Sequence, residues 1–280
     1  MKSVIVLAAL FFTVSAGFTQ SKDSLIAPWF VEKFKLSIGF FNPINNTKIQ
    51  VGVNGAAEGT HIDFEKDLGM NASIATFLAN FQWRISRRSR VSLGYFDMRR
   101  SATKTLDREI VFKDQTYPVK ASVNSQFNTA IYQISYGYAI IEKPKFELGL
   151  LIGTHTVYAK TSLSVNGATA GASAGSNYGF SVPLPDLGIW GGYAFSDRLA
   201  VNLDFDYLAL TIDNIDGRIL AYNFLVSYKL LRQLNVSLGY TGLNFQVSTT
   251  KQNVNGEFRW GYNGPTAGAT FVFGKRSWKH

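Results

Sequence analysis

A reacting or anion-binding site needs residues of the right type at a workable spacing, and this chain offers four places to look. On an extended strand, a histidine and a hydroxyl two residues apart share one face, so the ring can reach and activate the hydroxyl. His155 is followed by Thr156 and Val157, so that partner is missing. His155 therefore reads as an interior residue bonded to a neighbouring strand. A second set, His61, Asp63, Glu65, Asp97 and Asp107, supplies the acids and the base with which paired carboxylates activate water. Such residues also populate any solvated rim. Gly274-Lys275-Arg276-Ser277 copies the end of a phosphate loop without its upstream glycine or its following helix, and is set aside. The fourth place is basic. Residues 99–120 carry Arg99, Arg100, Lys104, Arg108, Lys113 and Lys120 against Asp107, Glu109 and Asp114, and a planar guanidinium can engage two phosphate oxygens at once.

The elements that must position these residues are read from alternation. Residues 127–160 hold two runs of strand period joined by a tight turn. In the first, Tyr132, Ile134, Tyr136, Tyr138 and Ile140 share one parity, and Gln133, Ser135, Gly137 and Ala139 share the other. After Glu142-Lys143-Pro144-Lys145, Phe146, Leu148, Leu150 and Ile152 oppose Glu147, Gly149, Gly153 and His155. One face suits lipid and the other a packed, partly polar interior. A soluble sandwich would not bury a charge, and its wet face would not be Gly, Ser and Gln. The pattern recurs along the chain and predicts an all-β fold: a transmembrane antiparallel up-and-down β-barrel of about ten strands, with eight or twelve as alternatives. The expected lipid-facing set includes Phe77, Phe81, Leu148, Leu150, Leu203, Phe205 and Phe224. Runs 48–53 and 60–65 are short for a span and read as a hairpin above the membrane; two strands are added if they do span. The adjacent aromatics Tyr95-Phe96 suggest a bulge. Residues 99–120 read as a second protruding hairpin that turns at Asp114-Gln115, and 166–176 as a small-residue loop.

Composition sets the limits. The chain has 280 residues, 14% aromatics and 25 Gly, which fits aromatic girdles and small interior residues. It has no cysteine, so disulfides, thiolate metal sites, a cysteine nucleophile and a lipoprotein anchor are excluded. The net charge of +9 comes without a helix-turn-helix, zinc or basic-helix pattern, and points to an anionic surface rather than nucleic acid. Residues 1–16 read as a signal peptide, with cleavage at 16 or as late as 20. Residues 17–32 read as a periplasmic tail, 33–273 as the barrel and 274–280 as a second periplasmic tail. No cofactor or metal is expected.

Interior charge is the most informative group. Lys35, Arg84 and Lys229 face inward and are offset by Glu147, Asp204 and Asp206, with His155 among them; buried charges require such partners. Ten strands enclose an interior that side chains can largely fill, whereas open porins use about sixteen. Trp190 is either a plug or a ligand platform.

One segment resembles a known family. Gly59-Thr60-His61-Ile62-Asp63-Phe64-Glu65-Lys66-Asp67-Leu68-Gly69 is similar to the Gly-Thr-x-Ile-Asp-Leu-Glu-Asp-Asp-Leu-Gly segment of uncharacterised Gram-negative outer-membrane β-barrel proteins. The likeness continues at Tyr95-Phe96-Asp97, Thr105-Leu106-Asp107-Arg108, Leu184-Pro185-Asp186-Leu187-Gly188 and Gly264-Pro265. The chain departs from the family at Lys66, where an acid is usual, and this weakens a divalent-cation reading of the segment. The resemblance implies fold and outer-membrane location and transfers no activity. The expected function is a structural or surface-binding barrel, more consistent with no enzyme activity than with one. Its expected partners are outer-membrane lipid, lipopolysaccharide at Arg99, Arg100, Lys104 and Arg108, and the barrel-assembly machinery. The alternative is a narrow solute channel or a rim-located lipid or peptide hydrolase.

Overall fold

A computed structural model describes residues 27–52, 59–113, 115–165, 175–251 and 254–274. The expected signal peptide, the Asn54-Gly55 turn, Asp114, most of the small-residue loop and the tail 275–280 lie outside the described residues. Ten strands form a closed antiparallel ring: β1 (Phe34–Phe41), β4 (Thr76–Arg84), β5 (Ser89–Thr105), β8 (Ser122–Lys143), β9 (Phe146–Val165), β10 (Gly175–Ala194), β11 (Leu199–Ile212), β12 (Ile215–Lys229), β13 (Leu234–Lys251) and β14 (Val254–Phe273). Pairing of β1 with both β4 and β14 closes it. The ring is the expected barrel, in the middle of the expected range. Short turns join every strand pair at one end, the periplasmic end by the rule for such barrels; the other end carries the long connections from β1 to β4 and from β5 to β8, beside the two-residue turn between β11 and β12.

The outward face is apolar over the lower part. Leu36, Ile38, Phe77, Leu93, Ile134, Leu150, Ile152, Ile189, Leu203, Phe205 and Phe224 are all exposed, as a lipid-facing band must be. A row of tyrosines in tilted and edge-to-face contact marks its upper edge: the Tyr95 ring lies 5.2 Å from that of Tyr132, which lies 5.6 Å from that of Tyr158.

Four local expectations change. The run 48–53 is neither a span nor a free hairpin. β2 (Ile44–Gly52) continues the line of β1 past Asn42-Pro43, so that β14 pairs with β1 along its lower half and with β2 along its upper half. The run 60–65 contributes the two-residue β3 (Ile62–Asp63) on the edge of β2. At Tyr95-Phe96 there is no bulge, since β5 pairs with β8 without interruption from Ser89 opposite Tyr138 to Thr105 opposite Ser122. Phe96 faces inward because the interior itself turns apolar at that height. The irregularity lies in β8 instead, between Ala139 and Ile141.

The stretch 106–121 does not protrude. β6 (Ile110–Phe112) and β7 (Gln115–Tyr117) form a small hairpin folded across the outer mouth. Ile110, Phe112, Tyr117 and Ala121 are fully buried, and Lys113 N–H donates to the Val51 carbonyl. β10 begins at Gly175 and runs through Pro183 and Pro185. It pairs with β9 throughout but with β11 from Leu187 onward, so both prolines sit where one edge of β10 has no ladder to break.

Candidate functional site

The interior has two storeys. In the lower one, small residues on the inward faces leave room for ion pairs. Arg84 donates through both terminal nitrogens to Glu147, at 3.1 and 3.0 Å, and Arg87 reaches the same carboxylate. Arg90 pairs with Asp204 at 2.9 Å and lies over the Trp190 ring at 3.7 Å. Trp190 is a buried plug packed with Ala139 and Leu151. It fits because position 149 is glycine, where a β-carbon would stand 2.5 Å from the indole nitrogen.

His155 bonds Asp186 on the next strand at 2.6 Å, both buried. Asp206, also buried, has one carboxylate oxygen without a hydrogen-bond partner among the described residues. Arg84 and Glu147, both expected among the interior charges with no pairing assigned, meet one another. Arg87, Arg90 and Asp186 join the network without having been singled out in the sequence.

The base of this storey is closed by residues expected to form a free tail. The 3-10 turn Pro28–Phe30 enters the lower mouth, and Trp29 and Phe30 bury themselves against Ala194 and Ala200. Trp29 donates its indole N–H to the Ser196 carbonyl, and Ala27 N–H donates to Pro144. Glu32 joins Lys35 at 3.2 Å and Lys229 at 2.7 Å, so these two lysines are paired from the plug rather than by Asp204 or Asp206. Burial works against ionisation of Glu32, yet Lys35 and Lys229 together outweigh it and hold the carboxyl below its ordinary value. Nothing periodic in residues 21–32 signals this plug.

Between the plug and the upper storey lies a cavity of about 310 Å³ lined by Ser37, Asn80, Gln133, His155, Asp206 and Asn223 among others. One step higher the lining changes. Gln133 and His155 are cross-strand neighbours; two residues farther along these strands, Ile131 sits opposite both Phe96 and Val157, all buried. From there Phe41, Phe64, Phe112, Phe127, Phe245, Phe258 and Trp260 fill the barrel as a single apolar core.

The Gly59–Gly69 segment closes a gap in this upper wall. β5 above Asp97 has no partner on the β4 side, and the segment fills the space between β5 and β2. Ile62, Phe64 and Leu68 point into the core. Glu65 accepts from the Thr47 backbone N–H at 2.9 Å and from Arg100 at 2.5 Å, so one carboxylate ties β2 to β5. Asp63 accepts from Lys66 N–H at 3.0 Å, and Asp67 accepts from Asp63 N–H at 2.8 Å and Arg108 at 2.6 Å. Burial opposes the charge on Asp67, but Arg108 and the Asp63 backbone prevail and lower its pKa; Asp67 in turn raises that of Arg108. Gly69 ends the segment at φ +69°, a conformation that favours glycine. The acids of the motif are thus spent on architecture. Among the described residues no group of three or more His, Asp or Glu could hold a metal ion.

The expected lipopolysaccharide set does not form one site. Adjacent strand residues face opposite ways: Arg99 is turned out and 78% exposed, whereas Arg100 is fully buried against Glu65. Lys104 bonds the Lys66 carbonyl and pairs with Asp107, and Arg108 is held by Asp67. Of the expected rim acids, Asp97 pairs with Arg99, and His61 is exposed.

No protein-family model and no curated protein matches the chain. Solved structures do. The outer membrane protease OmpT from Escherichia coli matches with TM-score 0.59 at 11% identity, covering 86% of this chain and 97% of that one. The translocator domain of the autotransporter NalP from Neisseria meningitidis matches with TM-score 0.49 at 12% identity, over 86% and 89% of the two chains. Ail, the attachment invasion locus protein of Yersinia pestis, matches with TM-score 0.30 at 10% identity, over 86% and 99%. The first likeness concerns the fold: this chain has the architecture of an outer-membrane β-barrel.

Proposed function

We propose that this chain is a closed outer-membrane barrel of structural or surface-binding type that carries no catalytic centre. It is exported by the leader in residues 1–16, inserted by the barrel-assembly machinery, and meets lipopolysaccharide at its outer face. The observation that carries the reading is closure at both ends of the lumen. Trp29, Phe30 and Glu32 fill the lower mouth, and the apolar core from Phe96 to Phe258 fills the upper half. A solute path would have to cross that core. The experiment is conductance of the refolded full-length chain in a planar lipid bilayer. The expected outcome is a silent membrane, and steady open-channel steps would overturn the reading.

The proteolytic activity in the name of the Escherichia coli relative belongs to that protein. Here Asp63 and Glu65 are engaged by backbone groups and Arg100, and the His155–Asp186 pair lies beneath the apolar core rather than at the rim. Absence of peptide or lipid hydrolysis by the refolded chain is the matching expectation. Surface contact falls to cations left exposed on the outer face, Arg99 among them.

A further inference from the structure

Cross-strand register converts the outer wall of β5, β8, β9 and β10 into rows, and the rows differ in chemistry. The highest row of the lipid-facing band sets Asp97, Ala130, Tyr158 and Ser181 side by side, above Tyr95 and Tyr132. The next row up is Arg99, Asn128, Lys160 and Gly179. Above it stand Ser101, Gln126, Ser162 and Asn177, then Thr103, Asn124 and Ser164, all uncharged and able to hydrogen-bond. Arg99, Asn128 and Lys160 are exposed. Lys160 has no ion-pair partner among the described residues, and Arg99 has a loose one in Asp97 at 3.5 Å. Their Cα atoms are separated by two strand spacings, roughly 10 Å, a gap that two long side chains can close on one anion.

From this stack we infer that the Arg99–Asn128–Lys160 row is a binding site for the phosphate of a phosphorylated glycolipid in the surrounding leaflet. The inference rests on the proposed outer-membrane placement and deepens the surface-binding reading. The order of chemistries selects the ligand. Acyl chains lie along the apolar band that includes Ile134 and Ile152; the phosphate meets a guanidinium, an amide and an ammonium just above the tyrosines; sugars meet the Ser, Thr, Asn and Gln rows above. A phospholipid has no group to use the upper rows, and free phosphate uses neither the upper rows nor the lower band. Lys160 was passed over in the sequence because its neighbours in the run carry no charge; it is the strand register that places it beside Asn128 and two strand spacings from Arg99.

The test uses the full-length chain refolded in detergent micelles and four probes: diphosphorylated lipopolysaccharide, its dephosphorylated counterpart, phosphatidylglycerol and inorganic phosphate. Retention is read by native mass spectrometry and by affinity at rising salt. The expected result is preferential retention of the diphosphorylated glycolipid, weakening with salt. R99Q/K160Q should reduce affinity about tenfold and flatten the salt dependence, with the folded form's gel mobility unchanged. K113Q/K120Q should bind as the unaltered chain does.

Equal binding of the dephosphorylated form, or no effect of R99Q/K160Q, overturns the site. Equal retention of phosphatidylglycerol overturns the glycolipid assignment, and binding of inorganic phosphate alone shows an adventitious ion only. Loss in K113Q/K120Q with R99Q/K160Q unaffected moves the contact to the mouth hairpin and overturns the row. The closed-barrel reading fails separately, by conductance.

Discussion

Two halves of one ring solve opposite problems. Below the level of His155 the strands show apolar side chains to the outside and ion pairs to the inside; Leu150 faces out where Glu147 and Gly149 face in. Above it, the same strands show Asn128, Gln126 and Ser162 to the outside and bury Phe127, Ile131 and Leu163. The switch is made on both faces within about one row: from Tyr158 to Lys160 outside, and from His155 to Val157 inside. The upper half is built like a soluble β-protein and the lower half like its inverse. The physical cause is the solvent outside the wall. Lipid takes up apolar side chains at no cost, so polar groups gather in the lumen, where they must pair. Where water replaces lipid, burial of apolar area again drives packing and the lumen becomes a core.

The comparison is tested most severely in the lower half. Glu147 is shared by Arg84 and Arg87, and Arg84 is nearly inaccessible. Replacing Glu147 by Ala strands these charges, and the expected cost is about 3–5 kcal/mol, read as a fall in the urea midpoint of the folded barrel in micelles. Replacing Arg84 by Met and Glu147 by Leu together should cost less than the single change. A double change as damaging as the single would mean that the pair itself, rather than stranded charge, holds this half.

In the upper half the matching change is Phe127→Ala. Phe127 is fully buried between Phe64, Phe258 and Trp260, and loss of its ring should cost about 3–5 kcal/mol. If the halves are as distinct as their interiors, the damage stays local. Protease should cut the mouth segments 59–75 and 106–121 faster, while the urea midpoint of the membrane ring moves little. A matching drop in that midpoint would show one cooperative unit instead.

The outside face gives the next largest contrast. Leu150→Arg, on the lipid-facing band, should cost about 2–4 kcal/mol, whereas Gln126→Arg, exposed above the tyrosines, should be near neutral. Comparable costs for the two would place the lipid boundary elsewhere.

The barrel was legible because alternation over ten long runs is a strong local signal. Parity alone put Glu147, Asp204 and Asp206 inside, where they lie. The misreadings share one cause: contacts far apart in sequence. Tyr95-Phe96 looked like a slip because a single rule, polar within and apolar without, was applied along the whole strand, whereas the rule inverts halfway up. Arg100 looked like a surface cation because its partner Glu65 comes from a different segment. Residues 27–32 carry no periodicity because they form no strand, and the sequence does not show that Glu32 will meet Lys229, 197 positions away.

Glu32 also offers the finest test, since ion pairs titrate and apolar cores do not. Its carboxyl is held below the unfolded value of about 4.3. A group with a depressed folded pKa adds stability at any pH above the unfolded value and loses it as pH falls through the folded one. The latch between Glu32, Lys35 and Lys229 should therefore hold at neutral pH and release on the acid side of about 4.3. Trp29 reports on it, because it sits against Lys229 at 4.8 Å and is buried. Acrylamide quenching of the native chain, corrected by Trp29→Phe, should reveal a protected indole at pH 7 that becomes accessible at acid pH, below about 4.3. In Glu32→Gln that indole should be partly accessible at both pH values. If the Trp29 signal stays protected at every acid pH at which the barrel remains folded, packing of Trp29 and Phe30 against Ala194 and Ala200 is sufficient to seat the plug. The lower mouth would then be closed by the same apolar means as the upper half.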